Sequence, residues 1–235
     1  MTRIVAGTVG GRSLAVPPSG TRPTSERVRE AVFSRLEHLG VVEGARVLDL
    51  FAGSGALGIE AASRGAAEVT LVDSARKAAD VARRNVADLG LRGTVRVLAE
   101  PAERCTGRLA ETAQAAAAGT PGDTENTENT ASGTDTARGL VDLVLVDPPY
   151  DLPVATLDRV LADLATPGVL ARDAVVVVER GKRSGEPAWP PGLVGFAAKS
   201  YGDTVVHYAE PRDHDGEPRD HDAEPRDAEP NPADS

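Results

Sequence analysis

One cysteine, Cys105, is all that the 235 residues contain. That excludes a disulfide framework and a cluster of thiolate metal ligands. Histidine is nearly as rare, with four residues, and none has the spacing of a metal site. Two of them, His214 and His221, sit among carboxylates near the C-terminus, where a solvated charged tail is the simpler reading. No Ser-His-Asp set can be assembled. No apolar segment opens the chain, so a cytoplasmic protein with no membrane partner is expected. Aromatic residues amount to 3%, with three tyrosines, so the setting of each tyrosine is informative.

Positive charge is also in deficit, and the formal net charge is −10. That balance argues against a nucleic-acid partner until the acidity is located. Residues 111–139 hold five acids and one base, and residues 209–235 hold ten acids and three arginines. Subtracting these from −10 leaves +1 for the remainder, and residues 1–35 carry six arginines against two glutamates. A basic face is therefore expected at the N-terminus, with the acidity in appendages. Both acidic stretches lack the large apolar residues needed to offset ordering entropy. They read as a disordered insertion (111–139) and a disordered tail (209–235). The tail repeats Glu-Pro-Arg-Asp-His-Asp from Glu210 and from Glu217, a period with no hydrophobic position, which rules out a solenoid or coiled coil.

What is present is concentrated in two segments. Asp147-Pro148-Pro149-Tyr150 follows Leu143-Val144-Leu145-Val146, which reads as a buried strand. The tetrapeptide then falls at a strand's carboxyl end, where open α/β sheets bind ligands. An exocyclic amine on a nucleobase is a poor nucleophile because its lone pair is delocalised into the ring. The Asp147 carboxylate and the Pro148 carbonyl can each accept one N–H of such an amine. Pro148 and Pro149 fix the backbone and remove competing N–H groups. Tyr150 offers a ring for stacking, a contact of roughly 1–3 kcal/mol per base.

The second segment is Asp49-Leu50-Phe51-Ala52-Gly53-Ser54-Gly55, between a strand over Ala45 to Leu50 and a helix over Ala56 to Ala62. Gly53, Gly55 and Gly58 spell G-x-G-x-x-G, a weak signal alone. Asp73 closes the next strand, Val69 to Val72, where a ribose-binding acid belongs in a dinucleotide or an adenosyl site. Asp49 tilts the choice. A carboxylate there would repel a pyrophosphate but attract the ammonium of S-adenosyl-L-methionine.

Elsewhere strands and helices alternate. Arg3 to Val9 and Arg12 to Val16 flank Gly10-Gly11, the signal of a two-residue hairpin. Thr24 to Leu39 has Val28, Val32, Leu36 and Leu39 on one helical stripe, leaving Arg22, Arg27 and Arg29 available to solvent or phosphate. A helix over Ala75 to Leu89 and strands over Thr94 to Leu98 and Ala174 to Val178 follow. Phe196 to Ser200 and Thr204 to Tyr208 form a closing antiparallel pair joined by Gly202-Asp203. The pattern predicts an α/β, doubly wound, mostly parallel Rossmann-like sheet.

These residues together resemble the RsmD-type bacterial 16S ribosomal RNA guanine-N2 methyltransferases. The likeness runs from about Arg3 to Tyr208. It rests on Arg3-Ile4-Val5-Ala6-Gly7 with Gly11-Arg12, on Thr21-Arg22-Pro23-Thr24 leading into Arg27-Val28-Arg29-Glu30-Ala31, on Asp49 to Glu60, and on Asp147 to Tyr150. Ser63-Arg64-Gly65-Ala66, Asn85, Glu179 and Tyr201-Gly202-Asp203-Thr204 extend it. The resemblance implies a seven-strand methyltransferase sheet over 41–208 and an RNA-binding hairpin and helix over 1–40. It also implies S-adenosyl-L-methionine as donor and guanine 966 of 16S rRNA, free or in an assembling 30S subunit, as target; a monomer is expected.

On that basis Asp147, Pro148, Pro149 and Tyr150 would be catalytic. Asp49, Phe51, Gly53, Ser54, Gly55, Asp73 and Glu100 would hold the cofactor, and Arg22, Thr24, Arg27 and Arg29 the RNA. Glu100 stands one position earlier than the family's adenine-contacting acid, because this chain has Glu100-Pro101-Ala102. A DNA adenine-N6 methyltransferase and a non-catalytic ribosome-assembly factor are the competing readings, with a nicotinamide dehydrogenase behind them.

Overall fold

The computed structural model describes residues 2–16, 25–118 and 139–212. Arg22 and Thr24 lie outside the described residues, as do 119–138 and 213–235. The elements in chain order are β1 (Thr2–Arg3), β2 (Ser13–Leu14), α1 (Glu26–His38), β3 (Arg46–Leu50), α2 (Ala56–Ser63), β4 (Glu68–Val72), α3 (Arg76–Asp88), β5 (Val95–Leu98), α4 (Ala102–Ala118), β6 (Val141–Val146), α5 (Val154–Leu164), β7 (Leu170–Gly181), β8 (Leu193–Tyr201) and β9 (Thr204–Pro211).

Seven strands form one sheet in the order β5-β4-β3-β6-β7-β9-β8. β5 to β7 run parallel, and β9 is antiparallel to both β7 and β8. The sequence explains the centre. Runs such as Val141-Asp142-Leu143-Val144-Leu145-Val146 are β-branched or leucine almost throughout, which suits strands covered on both faces. Alternate residues feed two cores. Val47, Leu71, Leu143 and Val175 pack with α1, α2 and α3, whereas Leu48, Leu50, Val144 and Val176 pack with α4 and α5. This is the doubly wound, mostly parallel Rossmann-like sheet that the pattern predicts, with the seven strands that the resemblance implies and an N-terminal β-hairpin.

The N-terminal arm departs from the simple hairpin. β1 and β2 are only two residues each, paired Thr2↔Leu14 and Arg3↔Ser13. The cause is a competing partner. Glu60 on α2 accepts the N–H groups of Val5 and Ala6 at 2.7 and 3.0 Å, while the Ser63 backbone carbonyl and hydroxyl take those of Thr8 and Val9. Gly7, at φ +83°, fits because a Cβ there would meet the Ser63 carbonyl oxygen at 1.9 Å. Farther on, Asn85 brackets Ala15, accepting its N–H and donating to its carbonyl at 2.9 Å each, and donates to the Ser54 carbonyl at 2.9 Å.

Helix α1 starts where the pattern puts it, with the Ser25 hydroxyl capping the Val28 N–H at 3.2 Å. Its stripe is buried at Val28, Val32 and Leu36. Arg29, expected to face solvent or phosphate, is instead fully buried and paired with Glu60 at 3.3 Å. Helix α4 continues to Ala118, so residues 111–118 of the expected disordered insertion are helical. Ala113 is small enough to bury in the α4–α5 core. Strand β9 runs to Pro211, with Ala209 and Glu210 buried. A chain ended at Tyr208 would therefore cut a paired strand.

Candidate active site

Strand register brings the site together. Leu50 pairs with both Val72 and Val146, Val72 pairs with Leu98, and Val146 pairs with Val178. The next residues are Phe51, Asp73, Ala99, Asp147 and Glu179. Three carboxylates thus emerge on one carboxyl-end rim of the sheet, the edge where open α/β sheets hold ligands.

Asp49 lies one residue inside that rim and is only 1% exposed. Helix α2 has Gly55 at its start and no side-chain cap. Asp49 Oδ2 takes the place of a cap by accepting the Gly58 N–H at 2.8 Å. Its Oδ1 has no partner among the described residues. Burial raises the Asp49 carboxyl to about 8, with smaller contributions from the negative charges of Asp147 and Asp73. A buried acceptor of this kind suits a cationic group: an ammonium against it would favour the carboxylate form.

The turn beyond is built for close approach. Phe51 is the one non-glycine residue at positive φ (62°) among the described residues, and Gly53 and Gly55 follow at 57° and 82°. Such strain in a bulky residue persists where surrounding structure enforces it, commonly at ligand sites. Asp73 accepts the Gly53 N–H on Oδ2 and the Ala75 N–H on Oδ1, both at 2.8 Å. Each oxygen keeps a second lone pair for a hydroxyl. Ser54 is buried, and its carbonyl receives the Asn85 amide. Gly55 has a packing role besides: a Cβ there would stand 2.7 Å from Leu71 Cδ1. Asp49, Phe51, Gly53, Ser54, Gly55 and Asp73 are thus contiguous, and their donor set fits the ammonium and ribose of S-adenosyl-L-methionine.

Pro148, Pro149 and Tyr150, directly after Asp147, line a groove of about 330 Å³ that is open to solvent, with Glu179, Arg180 and Gly181 across it. The Pro149 carbonyl accepts the Leu152 N–H at 3.0 Å. The Pro148 carbonyl accepts no backbone bond among the described residues. The Tyr150 side chain is 72% exposed and Val154 58%; both line the groove. Exposed apolar surface gathered at a concavity marks a binding face. Against Tyr150 lies Gly181, where a Cβ would be 3.2 Å from Cε1.

The remaining site candidates fare differently. Glu100 follows β5, but its carboxylate is held by Arg108 at 2.6 and 3.0 Å, with Arg104 at 3.8 Å, which also keeps its pKa low. Arg27 is exposed on α1. Arg29 is sealed off. The β7–β8 segment Arg180 to Ser184 was not anticipated as part of the groove. Its signal was the basic string Arg180-Gly181-Lys182-Arg183 at the end of a strand.

A pH effect follows from Asp49. Its folded pKa lies above the ordinary carboxylate value of 3.8, so the folded chain holds a proton that the unfolded chain has lost. Stability from this group is full below about pH 4 and falls as pH rises toward about 8. Asp49→Asn should flatten that decline in urea-unfolding midpoints measured from about pH 5 to pH 8. An identical slope in the variant would overturn this account of Asp49.

A seven-strand sheet with its last strand reversed, a strained glycine turn and an acidic rim define a Rossmann-like methyltransferase. The family model described as conserved hypothetical protein 95 matches residues 2–118 and 120–210, and the chain belongs to that family, the RsmD-type one its motifs resemble. It is 35% identical over 189 residues to ribosomal RNA small subunit methyltransferase D of Escherichia coli (strain K12), covering 80% of this chain and 79% of that one. The protein of the same name from Haemophilus influenzae is 42% identical over 88 residues, covering 37% and 45%. Among solved structures, yhhF, a presumed methyltransferase from Escherichia coli, superposes with a TM-score of 0.68 at 30% identity, over 89% of this chain and 97% of that one.

Proposed function

We propose that this chain transfers a methyl group from S-adenosyl-L-methionine to the exocyclic N2 of a guanine in small-subunit (16S) ribosomal RNA, at guanine 966, acting as a cytoplasmic monomer on free rRNA or an assembling 30S subunit. The observation that carries the reading is the placing of Asp147 next to the Pro148 carbonyl, which accepts no backbone bond among the described residues, beside the exposed Tyr150 ring. Those two acceptors take the two N–H bonds of a planar amine and draw its lone pair out of the ring. Pro149 holds the loop rigid, and Tyr150 stacks on the base. When bound, the cofactor supplies an electrophilic methyl on sulfur. Asp49 holds its ammonium, Asp73 its ribose hydroxyls, and the turn Phe51 to Gly55 admits it closely; Glu100 meets the adenine on the lone pairs that Arg108 leaves.

The names of the E. coli and H. influenzae relatives support ribosomal RNA as the substrate class. Residues 41–208, extended to Pro211, would be the catalytic domain and 1–40 an extension in which Arg22, Thr24 and Arg27 approach RNA. Arg29 would serve that extension only by anchoring it. The test is incubation of the full chain with methyl-labelled cofactor and 16S rRNA, naked and in 30S particles, followed by nucleoside digestion. Label in N2-methylguanosine is expected. Label in N6-methyladenine of added DNA, or none in any RNA, would overturn the reading.

A further inference from the structure

The groove at Tyr150 is lined by Glu179, with Asp147 and Asp73 along the same rim, so a polyanion entering it meets like charge. A nucleobase cannot reach the groove without bringing its own two phosphates to the groove mouth. Something cationic must stand there. Among the described residues, Arg180 is the one cation lining the groove. Lys182 and Arg183 follow within three residues, are exposed, and sit beside lining residues Gly181 and Ser184. The segment is pinned: the Lys182 N–H donates to the Asp203 carbonyl at 2.7 Å, and Gly181 supports the Tyr150 ring. None of the three cations forms an ion pair among the described residues, whereas Arg29, Arg46, Arg64 and Arg108 are all held by carboxylates. The burial of Arg29 also removes one cation from the N-terminal face.

We propose that Arg180, Lys182 and Arg183 form a phosphate clamp that grips the RNA backbone flanking the base seated at Asp147 to Tyr150. This rests on the reading of the chain as an RNA methyltransferase. The clamp sets the path of the strand across the β7–β8 end of the sheet. It offsets the repulsion of the acidic rim, and it contributes to affinity without touching the reacting amine.

The test is the full chain with both exposed cations neutralised, Lys182→Gln with Arg183→Gln, assayed on 16S rRNA and 30S particles over a range of salt. The KM for RNA should rise by roughly tenfold at moderate salt, and the slope of log affinity against log salt should fall by about two units, one per lost phosphate contact. kcat, cofactor affinity by calorimetry and melting temperature should be unchanged. The charge-conserving pair Lys182→Arg with Arg183→Lys should restore the slope. Arg180→Gln should remove about one further unit. A wild-type chain that methylates rRNA while the double variant keeps the full KM and salt slope overturns the clamp alone. A wild-type chain that methylates no rRNA, naked or in particles, overturns the underlying reading and the clamp with it.

Discussion

Asp147→Ala should slow methyl transfer by about 10²- to 10³-fold, the loss typical of removing one group that stabilises developing charge in a transition state. The variant should still fold. Asp147 stands at the rim beyond β6, half-buried, and its backbone N–H reaches the Leu50 carbonyl at 3.5 Å whatever side chain it bears. Cofactor affinity should stay within a few-fold, because Asp49 and Asp73 carry that part of the rim and are untouched. The loss should therefore fall on kcat rather than on cofactor binding. Asp147→Asn keeps one oxygen able to accept an N–H and should lose less. Single-turnover transfer with calorimetry of the cofactor separates these effects. A variant Asp147→Ala retaining more than about half the wild-type rate would remove Asp147 from the chemistry.

The largest effect on stability is expected at Glu60. Its side chain is fully buried and serves Val5, Ala6, Arg29 and Arg64 at once. Arg29, itself fully buried, also donates to the Arg3 carbonyl, and its Nη1 has no partner among the described residues. Glu60→Ala would leave that guanidinium without its counter-charge, at a cost of about 3–5 kcal/mol. It would also free two N–H groups of the arm. Changing both members, Arg29→Met with Glu60→Met, should recover the part of the loss due to the unpaired guanidinium, since an apolar pair avoids that desolvation penalty, but not the part due to the Val5 and Ala6 N–H groups, which still lack their acceptor. Urea-unfolding midpoints measure both. A loss below about 1 kcal/mol for Glu60→Ala would mean that water reaches Arg29 and that the pair is not sealed.

The central sheet was legible because its signal is local. Val144 to Val146 and Val175 to Val178 are strands by composition alone, and register then carries Asp147 and Glu179 to the same rim as Asp73. The glycine turn was legible for the same reason. What escaped depends on partners far along the chain. Nothing near Arg29 announces Glu60, thirty-one residues away, so an amphipathic helix reads Arg29 as solvent-facing. The hairpin signal at Gly10-Gly11 is genuine, but Glu60 and Ser63 take the N–H groups that longer strands would have paired. Alanine hid the rest of α4: Ala110 and Ala113 are buried, yet a run of alanines beside Thr and Gly resembles low complexity. The groove's far wall was missed because Arg180 to Ser184 joins Tyr150 only through the β6–β7 pairing.

The arm's attachments carry a consequence in time. Apart from the short β1–β2 pair, its first sixteen residues leave the ribosome before the partners that anchor them exist: the bonds to Glu60 and Ser63 span 54 to 57 residues, and that from Ala15 to Asn85 spans 70. At roughly 5–20 residues per second of synthesis, the arm waits about 3 to 14 s for those partners. Docking must then follow formation of β3, α2 and α3, so the arm is among the late pieces to settle although it is synthesised before all three. A nascent chain halted before Asn85 clears the exit tunnel would present Ile4 and Leu14 uncovered, as a chaperone would meet them.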